Sequence, residues 1–321
     1  MPFPTVDIIG ILKDNLELRK SVLPISPKAA TRWAKGLDIP KNGETVIYTG
    51  FMYQLVPYIN ATVKYAEKYG DSSLAKFTKL GRTLNKIVNL TSFMSFFSKI
   101  EETEYNEILR AIAQLLKSAD VEFGYMYEDE LYTGALLYDL GVDDSFKKHA
   151  EIVYNTIKKS GIKKLITVDP HTTNMLRSVY PKIISNFDIE VISYLEVLVQ
   201  RIENLRPVRD THENVVIHDS CVYARYESVV DEPRKLLERA GYKVVEPENS
   251  GKYTFCCGGP VESVYPDKAL DIGRKRIDEL KKYGSNVATM CPICLANLSR
   301  AAEGEVKIQD ISFFLKEAFL K

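Results

Sequence analysis

The stretch Val287-Ala288-Thr289-Met290-Cys291-Pro292-Ile293-Cys294 decides how this chain is to be read. A short apolar run of strand type leads straight into Cys291. Pro292 then stands where a helix can begin, because its missing N–H is one of the donors that a first helical turn leaves unpaired anyway. The same order appears upstream, where Val215-Val216-Ile217-His218 runs into Asp219-Ser220-Cys221 and a helical pattern follows over 226–240, ended by Gly241. Between the two lies a strand pattern at 242–246, a loop leading to Cys256-Cys257-Gly258-Gly259-Pro260, and a helical stretch at 268–283 that stops at Gly284. A last strand and helix are expected at 306–309 and 311–320. Strands alternating with helices imply an α/β fold with a parallel sheet covered by helices. Sites in such sheets form beyond the carboxyl ends of the strands. Cys221 and Cys291 fall there, and the Cys256-Cys257 loop can fold over them.

The first half repeats this plan without cysteines. Glu44-Thr45-Val46-Ile47-Tyr48-Thr49-Gly50 aligns with Glu213-Asn214-Val215-Val216-Ile217-His218-Asp219, which sets Phe51 near the place of Cys221. Leu131-Tyr132-Thr133-Gly134 stands where Phe255-Cys256-Cys257-Gly258 does, and Asp169-Pro170-His171-Thr172 parallels Cys291-Pro292-Ile293-Cys294. The intervals agree: 36 positions from Thr133 to Asp169 against 34 from Cys257 to Cys291. The exception is the 80 residues between Phe51 and Tyr132, against 34 between Cys221 and Cys256. The excess falls in a helical stretch at about 72–118, where Phe77, Leu80, Leu84, Ile87, Val88 and Met94 recur at helical spacing among lysines and Arg82. Such an insertion either covers the cysteine-free site or offers a docking face to another subunit or a membrane surface.

Composition narrows the function. The chain has 321 residues, 45% apolar and 27% charged, within the normal globular range. Lys plus Arg and Asp plus Glu both number 43, so there is no broad positive field to expect nucleic acid as a partner. No apolar run approaches the roughly 18 residues needed to span a bilayer, and the first residues do not read as a signal peptide. A cytoplasmic protein is expected, with association at the membrane periphery left open. No phosphate-binding Gly-rich loop and no Gly-x-Ser-x-Gly is present, so nucleotide-binding and hydrolase readings lack support.

All five cysteines lie between Cys221 and Cys294. An odd number with one vicinal pair makes a poor disulfide framework. Adjacent cysteines bridge each other only with strain, so a shared inorganic partner accounts for Cys256-Cys257 better. Thiolate-rich sites suit an iron–sulfur cluster or zinc. A zinc site takes four ligands, usually from two close-set pairs, whereas here the pairs are more than thirty residues apart with a fifth cysteine over. Thiol–disulfide chemistry at Cys291/Cys294 is the third reading.

These residues resemble a known family. The pattern Cys221…Cys256-Cys257-Gly258-x-Pro260…Cys291-Pro292-x-Cys294, with His218-Asp219-Ser220-Cys221…Arg225, is similar to the cysteine-rich CCG domain of the B/D-type heterodisulfide reductase family. That family includes the iron–sulfur subunits of glycolate oxidase and of anaerobic glycerol-3-phosphate dehydrogenase, and an archaeal succinate dehydrogenase subunit. The resemblance implies two tandem CCG-type units, here a cysteine-free one at 1–205 carrying the insertion and a cluster-bearing one at 206–321. It implies that Cys221, Cys256, Cys257, Cys291 and Cys294 hold one [4Fe–4S] cluster, of the non-cubane type if all five are used. It further implies electron transfer to or from a thiol, disulfide or quinone-linked acceptor, as the iron–sulfur subunit of a heterodisulfide-reductase-like complex. Two departures matter. The first unit has lost every ligand, and no Cys-x2-Cys-x2-Cys-x3-Cys-Pro run is present, so a ferredoxin-like or flavoprotein subunit is the expected electron partner. A zinc-bearing scaffold subunit without redox chemistry is the alternative.

His218 is a candidate hydrogen-bond donor to a cluster sulfur or a proton donor, with a capping role beside Asp219 as the competing reading. His171 and Asp169, at the cysteine-free site, form a candidate zinc pair. Arg225 either offsets cluster charge or begins a solvated helix face. Trp33 reads as a core anchor, and His149 and His212 as surface residues.

Overall fold

Four-residue apolar strands buried on both faces fit only a parallel sheet with helices on each side. The computed structural model describes residues 5–23, 25–69, 99–209, 211–262 and 264–320. In the first half, Thr45–Tyr48 (β1), Gly124–Tyr125 (β2), Lys164–Thr167 (β3) and Glu190–Ser193 (β4) form an all-parallel sheet in the order β2-β1-β3-β4. In the second half, Asn214–His218 (β5), Lys243–Val245 (β6), Asn286–Thr289 (β7) and Lys307–Asp310 (β8) repeat the order as β6-β5-β7-β8, again all parallel. Val46 sits opposite Leu165 in one sheet and Val216 opposite Val287 in the other, and all four are buried. The fold is therefore α/β with two tandem parallel-sheet units of identical strand order, as the internal repeat predicts.

The second half follows the expected elements closely, with one break. In place of a single helix over 226–240, a wide turn of π-helix spans Tyr223–Glu227, Ser228 takes φ +57°, and an α-helix occupies Asp231–Arg239. Pro233 explains the division: it lacks an N–H and would clash with a preceding carbonyl inside a longer helix, but it fits a first turn. The break turns Glu227 inward, where it accepts hydrogen bonds from Asn174 Nδ2 (2.7 Å) and Ser178 Oγ (2.8 Å) of the first half.

Of the expected insertion, 72–98 lies outside the described residues, and the remainder is helix Lys99–Ser118. This helix precedes β2 as helix Asp231–Arg239 precedes β6, so it is an enlarged counterpart of a repeat element. Its Ile108, Leu109, Ile112 and Leu116 are fully buried, in one core with Ile217, Val287 and Leu315 of the second half. It packs on helices Met52–Tyr69, Tyr194–Gln200 and Ile311–Phe319. The described part of the insertion is thus mortar between the two sheets. Trp33 is fully buried, its Nε1 donating to Tyr125 OH (3.3 Å), which makes it the core anchor expected. His149 is a correction: it faces inward from helix Asp143–Lys159, 3% exposed, with Nε2 2.6 Å from the Tyr132 carbonyl. Among the described residues no helix is long and apolar enough to cross a membrane.

The two sheets meet through a reciprocal pair of tyrosines. Tyr53, two residues after Phe51, donates its hydroxyl to Asp310 Oδ2 (2.7 Å), the residue that caps helix Ile311–Phe319 in the second half. Tyr223, two residues after Cys221, bonds Ser193 Oγ (2.9 Å), the residue that caps helix Tyr194–Gln200 in the first half. Both tyrosines are fully buried. Each unit thus plugs a phenol into the helix cap that follows the other unit's last strand. Tyr53→Phe and Tyr223→Phe should each lower stability by about 1–2 kcal/mol, with the larger loss at Tyr53, whose partner is a carboxyl group. Urea denaturation checks this, and two variants indistinguishable from the parent chain would show that packing alone joins the halves.

Candidate metal centre

Each cysteine is placed by a strand end or by a braced loop. Cys221 follows β5 closely, and Cys291 follows β7 as N-cap of helix Pro292–Ala302, whose first turn carries Cys294. Because β5 and β7 are hydrogen-bonded neighbours, their ends bring Cys221 and Cys291 to one edge. Cys256 and Cys257 lie in the loop between β6 and helix Pro266–Leu280. That loop is pinned from three sides. Asp219 accepts from Gly251 N (2.6 Å) and pairs with both terminal nitrogens of Arg234 (2.8 and 3.0 Å). Arg225 donates to the carbonyls of Lys252 (3.0 Å) and Thr254 (2.6 Å), so it acts as a loop staple. Asn297, buried in helix Pro292–Ala302, donates its amide to the carbonyls of Cys257 and Ala269. Gly258 adopts φ +88°, and a Cβ there would stand 2.3 Å from the Ala269 carbonyl oxygen. No other residue type fits.

The result is an unbroken line of sulfur neighbours. Cys221 neighbours Cys256, Cys256 neighbours Cys257, Cys257 neighbours Cys294, and Cys294 neighbours Cys291, each acting on the next one's ionisation. Cys257, Cys291 and Cys294 are buried, and Cys221 and Cys256 are partly so. Sulfurs this close cannot all ionise beside one another. The thiols of Cys221 and Cys257 and the Gly258 N–H pull the pKa of Cys256 down. At Cys291 burial opposes the thiolate, but Cys294 and His171 hold it well below the ordinary range. Neighbouring sulfurs and burial push Cys221, Cys257 and Cys294 up. Ionising all five needs a polycation among them, which is what a cluster of metal ions supplies.

Other groups fit that chemistry. Gly258 N–H reaches Cys256 Sγ (3.3 Å) and Gly259 N–H reaches Cys257 Sγ (3.4 Å). Arg276 Nε donates to His218 Nδ1 (3.1 Å), which fixes the proton of the neutral ring on Nε2. Burial, and then the Arg276 charge, push the His218 pKa down to about 3. Its buried Nε2 has no partner among the described residues, and Cys256 lies within its electrostatic reach. The geometry makes His218 a fixed N–H donor. Among the described residues no three His, Cys, Asp or Glu side chains are grouped as a site for a single metal ion. The sulfurs are strung out side by side.

In the first half, one carboxyl group takes a cysteine position and a second, Glu130, lies beside it. Asp169, at the place of Cys291, caps the following helix by accepting from Thr172 N (3.0 Å). Its Oδ1 is engaged with that backbone, while its buried Oδ2 has no hydrogen-bond partner among the described residues. Glu130, which nothing in its local sequence marks, is 2% exposed. Its carboxylate accepts from Thr49 N, Gly50 N (2.9 Å), Thr49 Oγ1 (2.9 Å) and Tyr125 OH (2.7 Å). Tyr132 and Thr133 take the places of the vicinal cysteines, and Gly134 keeps the left-handed turn at φ +84°. His171 reaches out of this unit. Its Nδ1 lies 3.8 Å from Asp139 Oδ2, and Cys291 of the other half lies within its electrostatic reach. Burial would lower its pKa, but Cys291, Asp139 and Asp169 outweigh that and raise it to about 9.

Comparison with known proteins agrees with this geometry. Residues 215–299 match the family model of the CCG cysteine-rich domain, so the second half carries a domain of that family. The chain is 32% identical over 225 residues to a probable iron–sulfur-binding oxidoreductase, FadF, of Bacillus subtilis, covering 67% of this chain and 32% of that protein. It is 30% identical over 234 residues to the EtfAB:quinone oxidoreductase of Syntrophomonas wolfei, covering 68% and 32%. Over 167 residues it is 30% identical to a subunit of the fumarate reductase (CoM/CoB) of Methanothermobacter marburgensis, covering 50% and 33%. The chain thus spans about a third of the length of these relatives.

Gly258→Ala should cost several kcal/mol, on the order of 3, because it adds both backbone strain and a contact with backbone oxygen. Thermal unfolding reads the loss directly. At Glu130, burial raises the pKa from 4.5 to about 7 against the pull of its hydrogen bonds. The folded chain then holds this proton more tightly than the unfolded one, so stability falls as pH rises from about 4.5 to 7. Glu130→Gln should flatten that slope. Asp169 and Asp310, each raised to about 6 by burial, add slope of the same sign, and His149 and His218, lowered to about 4 and about 3 by burial, add the opposite, so the comparison that isolates Glu130 is the parent chain against Glu130→Gln. Urea midpoints across this pH range check it.

Proposed function

We propose that the chain is the cluster-bearing part of an iron–sulfur oxidoreductase, in which Cys221, Cys256, Cys257, Cys291 and Cys294 hold one [4Fe–4S] centre. The observation that carries this reading is the single line of five neighbouring sulfurs, assembled from three separate stretches of one CCG-type unit. Five adjacent thiols exceed what one cubane needs, which favours the non-cubane form. Such a centre, when bound, supplies one-electron transfer between a donor and an acceptor. The protein's own part is to hold, neutralise and shield. Gly258 and Gly259 offer backbone N–H groups to the vicinal sulfurs, and the start of helix Pro292–Ala302 faces the anionic sulfur of Cys291. His218 offers a fixed N–H, braced by Arg276, which is itself fully buried and paired with Glu279 (2.7 Å). The first half closes over the buried sulfurs, with Ile293 of the site helix packed into that half's own core.

The acceptor we propose is a thiol, a disulfide or a quinone-linked carrier. The relatives named for a quinone and for CoM/CoB support that range. These relatives are about three times as long as the matched stretch, which favours a partner domain or subunit, ferredoxin-like or flavin-bearing, as the electron donor.

Metal and sulfide analysis of protein purified without oxygen, with EPR, tests this. About four iron and four sulfide per chain are expected, with both lost in Cys257→Ser. Stoichiometric zinc without sulfide would overturn the electron-transfer reading and leave a scaffold.

A further inference from the structure

The five cysteines are not equally enclosed. Cys257, Cys291 and Cys294 are buried, whereas Cys221 and Cys256 keep part of their surface in solvent. Those two belong to the stretches 221–230 and 251–262, which lie side by side because Arg225 donates to the carbonyls of Lys252 (3.0 Å) and Thr254 (2.6 Å). Exposed aromatic side chains gather on the same stretches. Tyr226 is 68% exposed, Tyr253 81% and Phe255 51%, and Tyr265 follows shortly after at 46%. Among the described residues Tyr138 is the one other exposed aromatic residue. Scattered apolar residues on a surface are ordinary, but aromatics drawn to the borders of one loop mark a surface that meets another molecule.

Charge says what kind of molecule. The charged residues of the two stretches are Arg225, Glu227, Lys252 and Glu262. Both carboxylates are buried and engaged within the protein, Glu227 with Asn174 (2.7 Å) and Ser178 (2.8 Å), and Glu262 with Arg300 (2.7 Å). Arg225 and Lys252 are exposed, and neither pairs with a carboxylate among the described residues. The face is therefore aromatic and carries uncompensated positive charge.

We propose that this face docks a separate electron-carrier protein whose own redox group lies beneath an acidic, partly apolar surface. One electron passes between that group and the cysteine-bound centre at the Cys221 and Cys256 side, so that one is oxidised as the other is reduced. This rests on the cluster reading above. Aromatic residues are enriched where proteins meet, and opposite charges speed the encounter and orient it. Electron-transfer encounters are small and short-lived, which suits a few aromatic residues and two cations better than a broad apolar plane.

The test measures binding of an acidic plant-type ferredoxin and of a basic cytochrome c to the chain purified without oxygen, by calorimetry, with iron and sulfide assayed on the same samples. The ferredoxin should bind, about tenfold more weakly at high than at low ionic strength, and the cytochrome should not. Lys252→Glu should weaken ferredoxin binding about fivefold, and Tyr226→Ser combined with Tyr253→Ser about tenfold, each with the parent's iron content. A loaded chain that binds no ferredoxin, that prefers the cytochrome, or whose variants bind ferredoxin as the parent does would overturn the proposal. So would self-association that the tyrosine variant abolishes, which would assign the face to a second copy of this chain. A parent chain with neither iron nor sulfide would instead refute the cluster reading itself.

Discussion

The molecule depends on two parallel sheets presenting their carboxyl edges to each other, and the crossed tyrosines, Tyr53 to Asp310 and Tyr223 to Ser193, define that arrangement. A phenol buried without a partner is costly, so each hydroxyl admits few relative positions of the two units. Each tyrosine sits two residues beyond a site position, Phe51 in one unit and Cys221 in the other. The contact that joins the halves is therefore the contact that brings their sites together. Helix Lys99–Ser118 fills the apolar space behind this edge, and Glu227 ties the opposite flank to Asn174 and Ser178.

The site positions obey one electrostatic rule with two chemistries. Where a strand of a parallel sheet ends and a helix starts, several backbone N–H groups point outward and favour a negative charge. In the second unit sulfur meets that requirement at Cys256 and Cys257. In the first unit the carboxylates of Glu130 and Asp169 do so, from within the protein. The carboxylates thus occupy the backbone donors that the cysteine-free unit would otherwise leave exposed at its strand ends. A carboxylate closes such a site permanently, whereas a row of thiols leaves it to be completed by metal.

Much of this was written locally. The strands near 45, 164, 214 and 286 appear as short apolar runs, and Pro170 and Pro292 mark helix starts correctly. Gly134 and Gly258, at matching places in the repeat, both adopt the left-handed turn. The helix expected over 226–240 failed because Pro233 permits helix only from its own first turn, which periodicity alone does not show. His149 reads as a surface residue, since a helix face gives no sign that the Tyr132 carbonyl, 17 positions earlier, lies above it.

The sequence by itself determined the repeat, the parallel α/β architecture and the cysteine set, because these rest on period, spacing and residue type. Tertiary structure alone decided which groups surround those cysteines. The partners of His218, Arg225 and Asn297 are brought in by loops and helices with no pattern that marks them. Glu130 meets Thr49 and Gly50 from some eighty positions away, and His171 comes within electrostatic reach of Cys291 from the other half of the chain. Such contacts depend on how two finished sheets dock, and docking is set by buried polar pairs whose members carry no mark of each other in the sequence.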